Sequence, residues 1–360
     1  MCSIHHIGDW SDMRRLDFLV PVYNEGEEVL RPLLDSIAIQ QNVNLADDVG
    51  VVVCCDGGTT ELSDEFTSRY PFAIEFHMCE HGGVSATRNA CLDHSEAEYV
   101  IFADCDDMLC DVCGLALVFR EMDAMPNPQE LAMNGVTAEQ VGIGFDTMVS
   151  VFREETHDPD GNTVYINRDN DSTFVHGKVH RRQYLIDNNL RFNPSLTIHE
   201  DSFFNILCRE CAMPMRAKYC PMPWYLWKWR DDSVCRHDPK YILKTFGNMI
   251  DSNDALLDEL VRRRMQDKAN FYCVMMVWDS YYSMNKPEWK EVNNKTFRNK
   301  FERRFAEYFR KHRDKWDSMD WPSKMQVSNL IRNRMVSEGM QAEAVTIDGW
   351  LKRIQKRYGK

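Results

Sequence analysis

Three carboxylates crowd a single turn at Asp104-Cys105-Asp106-Asp107. The turn directly follows Tyr99-Val100-Ile101-Phe102-Ala103, an apolar run that reads as a buried strand. Carboxylates that close raise one another's cost unless a cation sits among them. Oxygen-rich clusters of this kind suit Mg²⁺ or Mn²⁺ held jointly with a substrate diphosphate. The plain alternative is a solvated acidic turn that caps the next helix. Asp56 likewise ends an apolar run, and Glu200-Asp201 opens a helical stretch, where acids also favour the helix dipole.

The elements that must position these residues alternate in type. Residues 16–22 read as a buried strand that ends near Pro21 and leads into Tyr23-Asn24-Glu25-Gly26. A helix follows, with Val29, Leu30, Leu33, Leu34 and Ile37 at helical spacing. Residues 49–55 form a continuous apolar strand halted at Asp56-Gly57-Gly58, and Leu62, Phe66 and Tyr70 mark a second helical stretch. Residues 73–78 then read as strand, 84–92 as helix and 99–103 as strand. Such alternation predicts a mostly parallel sheet covered on both faces by helices. In open sheets of that kind ligands bind at the carboxyl ends of strands, where Tyr23, Glu25, Asp56 and the 104–107 turn fall. Farther on, residues 142–152 and 163–167 are β-like, 181–188 helical, and the aromatic run 224–229 strand-like. From about residue 238 the pattern is helical to the end.

Taken in order, Val20-Pro21-Val22-Tyr23-Asn24-Glu25, Cys55-Asp56-Gly57-Gly58-Thr59-Thr60, His81-Gly82-Gly83-Val84-Ser85-Ala86-Thr87-Arg88-Asn89 and Phe102-Ala103-Asp104-Cys105-Asp106-Asp107 resemble the signatures of the family 2 glycosyltransferases, inverting enzymes of GT-A fold. His176-Gly177-Lys178, Arg181-Arg182 and His199-Glu200-Asp201 resemble the acceptor-side half of that fold, so the resemblance covers about residues 16–237. It implies an α/β, Rossmann-like domain at 16–237, preceded by a tail at 1–15 and followed by an all-helical extension at 238–360. It also implies transfer of a sugar from a nucleotide sugar, with a UDP-sugar favoured, to a hydroxyl of a glycan or lipid-linked sugar.

The same resemblance assigns roles. Asp56 would accept a hydrogen bond from the nucleotide base, with Pro21, Tyr23 and Glu25 lining its pocket. Asp104 would hold the ribose and Asp106 the divalent metal, Mn²⁺ or Mg²⁺. Asp201 would be the general base, with Glu200 beside it to raise its pKa or orient the acceptor. Arg88 sits where the family often places a basic residue near the nucleotide, or else pairs with the acidic loops. Arg230, Arg236 and His237 resemble the segment that closes over the diphosphate, with His237 a further metal ligand. Two positions depart from the family pattern: His81 replaces the usual asparagine, and Gly58 replaces the usual serine.

Composition bounds the alternatives. The 360 residues carry 43 Lys and Arg against 56 Asp and Glu, a formal net charge of −13 that repels polyanions at long range. The 13 cysteines are odd in number and read as reduced thiols, and Cys110-x-x-Cys113 and Cys208-x-x-Cys211 read as small hydrophobes inside helical segments rather than a zinc site. No apolar run approaches a bilayer span and the first 15 residues lack a signal-like stretch, so the expectation is a cytoplasmic chain. Residues 286–315 hold eleven Lys and Arg against five Asp and Glu. With Phe297, Phe301, Phe305, Tyr308 and Phe309 at helical spacing, they read as an amphipathic helix with a charged outer face. The sharper alternatives are a nucleic-acid contact, which would fit an acceptor base in DNA, or a peripheral contact with an anionic membrane. From other classes, an inactive nucleotide-sugar-binding scaffold and a nucleotidyltransferase remain, the latter without the lysine-containing glycine-rich loop such enzymes place after the first strand.

Overall fold

The computed structural model describes residues 13–230, 239–284, 295–337 and 347–358. The chain divides into two compact units that part between Trp229 and Arg230.

The first unit is α/β. Its strands are β1 (Leu16–Val22), β2 (Val49–Asp56), β3 (Ala73–Cys79), β4 (Tyr99–Phe102), β5 (Met108–Leu109), β6 (Thr147–Ser150), β7 (Phe152–His157), β8 (Thr163–Arg168), β9 (Lys178–Arg181), β10 (Ala217–Cys220) and β11 (Tyr225–Trp227). Seven of them form one sheet in the order β10-β6-β9-β4-β1-β2-β3. Strands β4, β1, β2 and β3 run parallel, with Leu19 opposite both Val52 and Phe102. Strand β9 is antiparallel to both β4 and β6. A smaller sheet has the order β5-β11-β7-β8.

Every residue of β2 is buried, as expected of a strand covered on both faces. Pro21 sits inside β1 without breaking it. The Leu19 carbonyl accepts from Ala103 N, and Pro21, two residues on, faces the same side beyond the last paired residue of β4. Its missing N–H therefore leaves no ladder bond unmade.

The helices of this unit are α1 (Glu27–Ala38), α2 (Leu45–Asp48), α3 (Asp64–Thr67), α4 (Val84–His94), α5 (Gly114–Met122), α6 (Pro128–Asn134), α7 (Ala138–Val141), α8 (Arg182–Asp187) and α9 (Glu200–Cys211). Leu30, Leu33, Leu34 and Ile37 of α1 are fully buried, as their spacing requires. Three local expectations change. The stretch around Leu62 to Tyr70 is a single helical turn, α3, which ends at Thr67 and continues as turns to Tyr70. The β-like segment 142–152 splits at Val151 into strands of two different sheets. Cys110 precedes α5 rather than lying within it, and Cys113 is the residue that starts the helix.

The second unit is helical: Pro239–Arg262, Gln266–Ser283, Lys295–Lys311, Arg313–Ser318, Trp321–Ser337 and Ile347–Tyr358. Phe301, Phe305, Tyr308 and Phe309 are buried together with Leu257, Leu260 and Trp350. Part of the basic charge is answered within the unit. Lys311 pairs with Asp254 and Asp258 at 2.7 and 2.8 Å, Arg304 with Asp251, and Arg357 with Glu302 at 3.2 Å. Among the described residues no helix is long and apolar enough to cross a membrane.

Candidate active site

Four loops converge at the carboxyl end of the parallel strands. In the first, after β1, Glu25 Oε2 accepts from the backbone N–H of Tyr23 at 2.7 Å and of Asn24 at 3.2 Å. The Tyr23 ring is left half-exposed. The second, after β2, packs under it. A Cβ on Gly58 would fall onto the Tyr23 carbonyl oxygen, so the serine usual in the resembled family has no room here. Asn24 Oδ1 instead accepts from Thr59 N at 3.1 Å.

The third loop, His81 to Gly83, encloses Asp56. Gly82 N donates to Asp56 Oδ1 at 2.7 Å, and Gly83 N to Oδ2 at 3.0 Å. Gly83 takes φ +81°, a conformation that suits glycine. His81 Nδ1 lies 3.0 Å from Asp56 Oδ2 and its ring centroid 5.4 Å from that of Tyr23. The replacement of asparagine by His81 thus puts an exposed imidazole against the carboxylate expected to read the nucleotide base.

The fourth loop carries the acidic turn. Asp104 is partly open to solvent, Asp106 likewise, and Asp107 is fully enclosed. Asp107 accepts from Tyr225 Oη at 2.9 Å and from Lys228 N at 3.0 Å. Burial, followed by the charges of Asp104 and Asp106, raises the Asp107 carboxyl well above its ordinary pKa. A cation in this turn would relieve that cost. Asp104, Asp107 and His176 bring one ligand atom each to within 4.8 Å of one another. Carboxylate oxygens with one imidazole fit Mn²⁺ or Mg²⁺. The resemblance assigns the metal to Asp106, next to the Asp107 that converges here. The structure adds Asp107 and His176, the latter from one of the quoted motifs.

Arg88 of α4 ties this turn to α9. Its guanidinium is buried and donates to Asp104 Oδ1 at 3.0 Å, to Glu200 Oε1 at 3.1 Å and to Asp201 Oδ1 at 2.8 Å. Burial alone would lower the Arg88 pKa, but Asp201, Asp104 and Glu200 hold it above its ordinary value. The guanidinium carbon stands 5.3 Å from the Phe192 ring centroid, and Phe192 stacks on Phe204 at 4.0 Å. The neighbouring Asn89 clamps the same segment, donating to the Phe192 carbonyl and accepting from Phe192 N, each at 2.9 Å.

Helix α9 begins at Glu200 after His199, a non-glycine residue in the left-handed region at φ +64°. Strain of this kind persists where surrounding structure over-determines it, often at functional sites. Burial raises the Asp201 pKa to about 7, against the opposing pull of Arg88. A carboxylate with that pKa suits general-base work near neutral pH. Lys178, from β9, is buried and brought down to about 7 by desolvation, with Asp201 and Asp171 opposing. Arg230 opens the second unit, and Arg236 and His237 lie outside the described residues.

Residues 17–113 match the family model described as Glycosyl transferase family 2. Glycosyltransferase GlyA of Streptococcus pneumoniae serotype 4 (strain ATCC BAA-334 / TIGR4) is 38% identical over 98 residues, 26% of this chain and 13% of that protein. Poly(ribitol-phosphate) beta-N-acetylglucosaminyltransferase TarS of Staphylococcus aureus (strain Mu50 / ATCC 700699) is 25% identical over 196 residues, 54% of this chain. The chain spans 32% of that relative's length. Among solved structures, S. aureus TarS 1-349 in complex with UDP is similar at TM-score 0.54 and 15% identity, covering 93% of this chain and 95% of that one. TarS 1-349 in complex with UDP-GlcNAc covers the same shares at TM-score 0.52 and 16% identity. Within the first unit, residues 17–113 are thus similar to the glycosyl transferase family 2, on a fold shared with those GT-A structures.

Proposed function

We propose that the chain is an inverting glycosyltransferase that moves a sugar from a UDP-sugar, of the UDP-GlcNAc class, to an acceptor hydroxyl. One observation carries the reading. Buried Arg88 gathers Asp104, of the diphosphate-side turn, and Asp201, of the base-side helix, into one cluster within 3.0 Å. Structures of TarS with UDP and with UDP-GlcNAc support the donor class.

In this reading Asp201 takes the proton of the attacking acceptor hydroxyl. The acceptor oxygen forms its bond to the anomeric carbon as the bond from that carbon to the diphosphate oxygen breaks, and UDP leaves with the electron pair. Glu200 and Arg88 hold Asp201 in place. Asp56 and the Gly82 and Gly83 amides set the base end of the donor pocket, with His81 and Tyr23 at its mouth. Asp104, Asp107 and His176 would hold a divalent cation, which supplies charge neutralisation for the leaving diphosphate.

The test is incubation of the full chain with UDP-GlcNAc and Mn²⁺ and analysis of what is released. Release of UDP, slowly to water or faster with an acceptor, is expected. Release of pyrophosphate, or a chain that binds no nucleotide under any condition, would overturn the reading.

A further inference from the structure

One cavity of the first unit takes no part in the donor-side arrangement. Of about 230 Å³, it is lined by residues of β6, β9, β10, α9 and the 170–172 segment. Three basic side chains line it, Lys178, Arg209 and Lys218, against the acid Asp171; Lys218 pairs with Glu121 and Arg209 with Glu210, each at 3.2 Å. Lys178 donates to Asn170 Oδ1 at 2.7 Å and to the Phe174 carbonyl, which leaves one of its three N–H donors for something else.

Two other lining side chains, both more than nine-tenths buried, carry an atom with no hydrogen-bond partner: His180 Nε2 and Asn205 Oδ1. The Asn205 amide is oriented, because its Nδ2 donates to the Ser172 and Phe174 carbonyls at 3.1 and 2.8 Å. Its oxygen can therefore only accept. A buried polar atom left unpaired costs on the order of 1–3 kcal/mol. Such a cavity matches a polar occupant, with its basic side chains suited to an anionic group and the Asn205 oxygen to a hydroxyl.

The proposed base is not part of this lining but stands one turn of α9 from Asn205, which is. Asp201, Asn205 and Arg209 stand four residues apart along α9, so they form one stripe of that helix. We infer that this cavity holds the acceptor through a unit bearing an anionic group beside a hydroxyl, a phosphorylated or carboxylated sugar or polyol. The acceptor role rests on the reading of Asp201 as the base.

Calorimetric titration of the full chain with glycerol 3-phosphate, D-glucuronate, inorganic phosphate and glycerol tests it, with UDP and Mn²⁺ titrated in parallel. Glycerol 3-phosphate or glucuronate is expected to bind at least about tenfold more tightly than phosphate or glycerol, and which of the two binds identifies the acid. Lys178→Met and Arg209→Ala are each expected to weaken that binding by about tenfold or more and to leave UDP affinity unchanged. Arg209 is half-exposed, so its variant reads out even where Lys178→Met does not fold. The inference is overturned if neither probe binds, if inorganic phosphate alone binds as tightly, or if Arg209→Ala leaves probe affinity intact. Probe binding by a chain that binds no UDP removes the donor reading and the acceptor role with it, while leaving the cavity a binding site.

Discussion

Arg88 and Asp201, 113 positions apart in the chain, meet at 2.8 Å with the guanidinium enclosed and the carboxylate recessed. The contact sets both the position and the proton affinity of the proposed base: burial raises the Asp201 pKa to about 7, and Arg88 holds it from going higher.

Transfer should therefore rise with pH through about 7, because a base acts only when deprotonated. Asp201→Asn should lower turnover by about 10² to 10⁴ and leave UDP affinity near that of the wild type. The sign for stability is opposite. The folded chain keeps the Asp201 proton to a higher pH than the unfolded chain, so this group costs stability as pH rises from about 4 to about 7. Wild-type turnover in Asp201→Asn would remove the residue from the mechanism.

Removing the cation should be more damaging to the fold than removing any one of its partners. Arg88→Met leaves Asp104, Glu200 and Asp201 facing one another without compensation, and the expected loss is about 3–5 kcal/mol in denaturant unfolding. A loss below about 1 kcal/mol would mean that the three acids relax apart or take up protons at little cost.

Binding of Mn²⁺ with UDP separates the acids of the turn. Asp107 converges with Asp104 and His176, so Asp107→Asn should weaken Mn²⁺-dependent UDP binding by at least about tenfold, and more than Asp106→Asn does. The reverse ranking would return the metal to Asp106.

Restoring the family's usual serine should do harm. Gly58→Ser drives a Cβ into the Tyr23 carbonyl, and overpacking of that kind costs about 1–3 kcal/mol. Thermal unfolding should show the loss together with weaker UDP binding. A variant as stable as the wild type would show that the β1 and β2 loops separate freely.

In the helical unit, Asp254 is held to about 2 despite partial burial, because His312 and Lys311 hydrogen-bond to its carboxylate. Its stabilisation is fully present above the ordinary carboxyl range, near pH 4, and is lost as pH falls toward about 2. Asp254→Asn should cost on the order of 1–2 kcal/mol at pH 7 after solvent screening, and much less at pH 2. Chemical unfolding at the two pH values checks this.

Much of the donor side was legible because its strands are apolar runs that end in chemistry-bearing residues. Asp56 and the 104–107 turn fall at strand ends in the sequence and in the structure alike. What could not be read was direction within a turn. Consecutive Asp106 and Asp107 differ in nothing but the way the backbone turns them, and burial under Tyr225 decides that. His176 arrives from some 70 residues downstream, ahead of a strand that inserts antiparallel beside β4, and periodicity carries no trace of such a return. The split at Val151 was hidden for a related reason: two short strands in tandem look like one long one. Gly58 departs from the family pattern for a cause absent from its own neighbourhood in the chain, a backbone carbonyl supplied by another loop.

The two hydrogen bonds between Asn89 and Phe192 run in opposite senses between the same pair of residues. A pair joined this way resists both sliding and twisting, so α4 and the segment that leads into α9 act as one lever. Two opposed bonds leave no pivot for opening and closing at that joint. The proposed base is then carried on a fixed part of the frame, and loops outside the clamp are where any movement would be taken up.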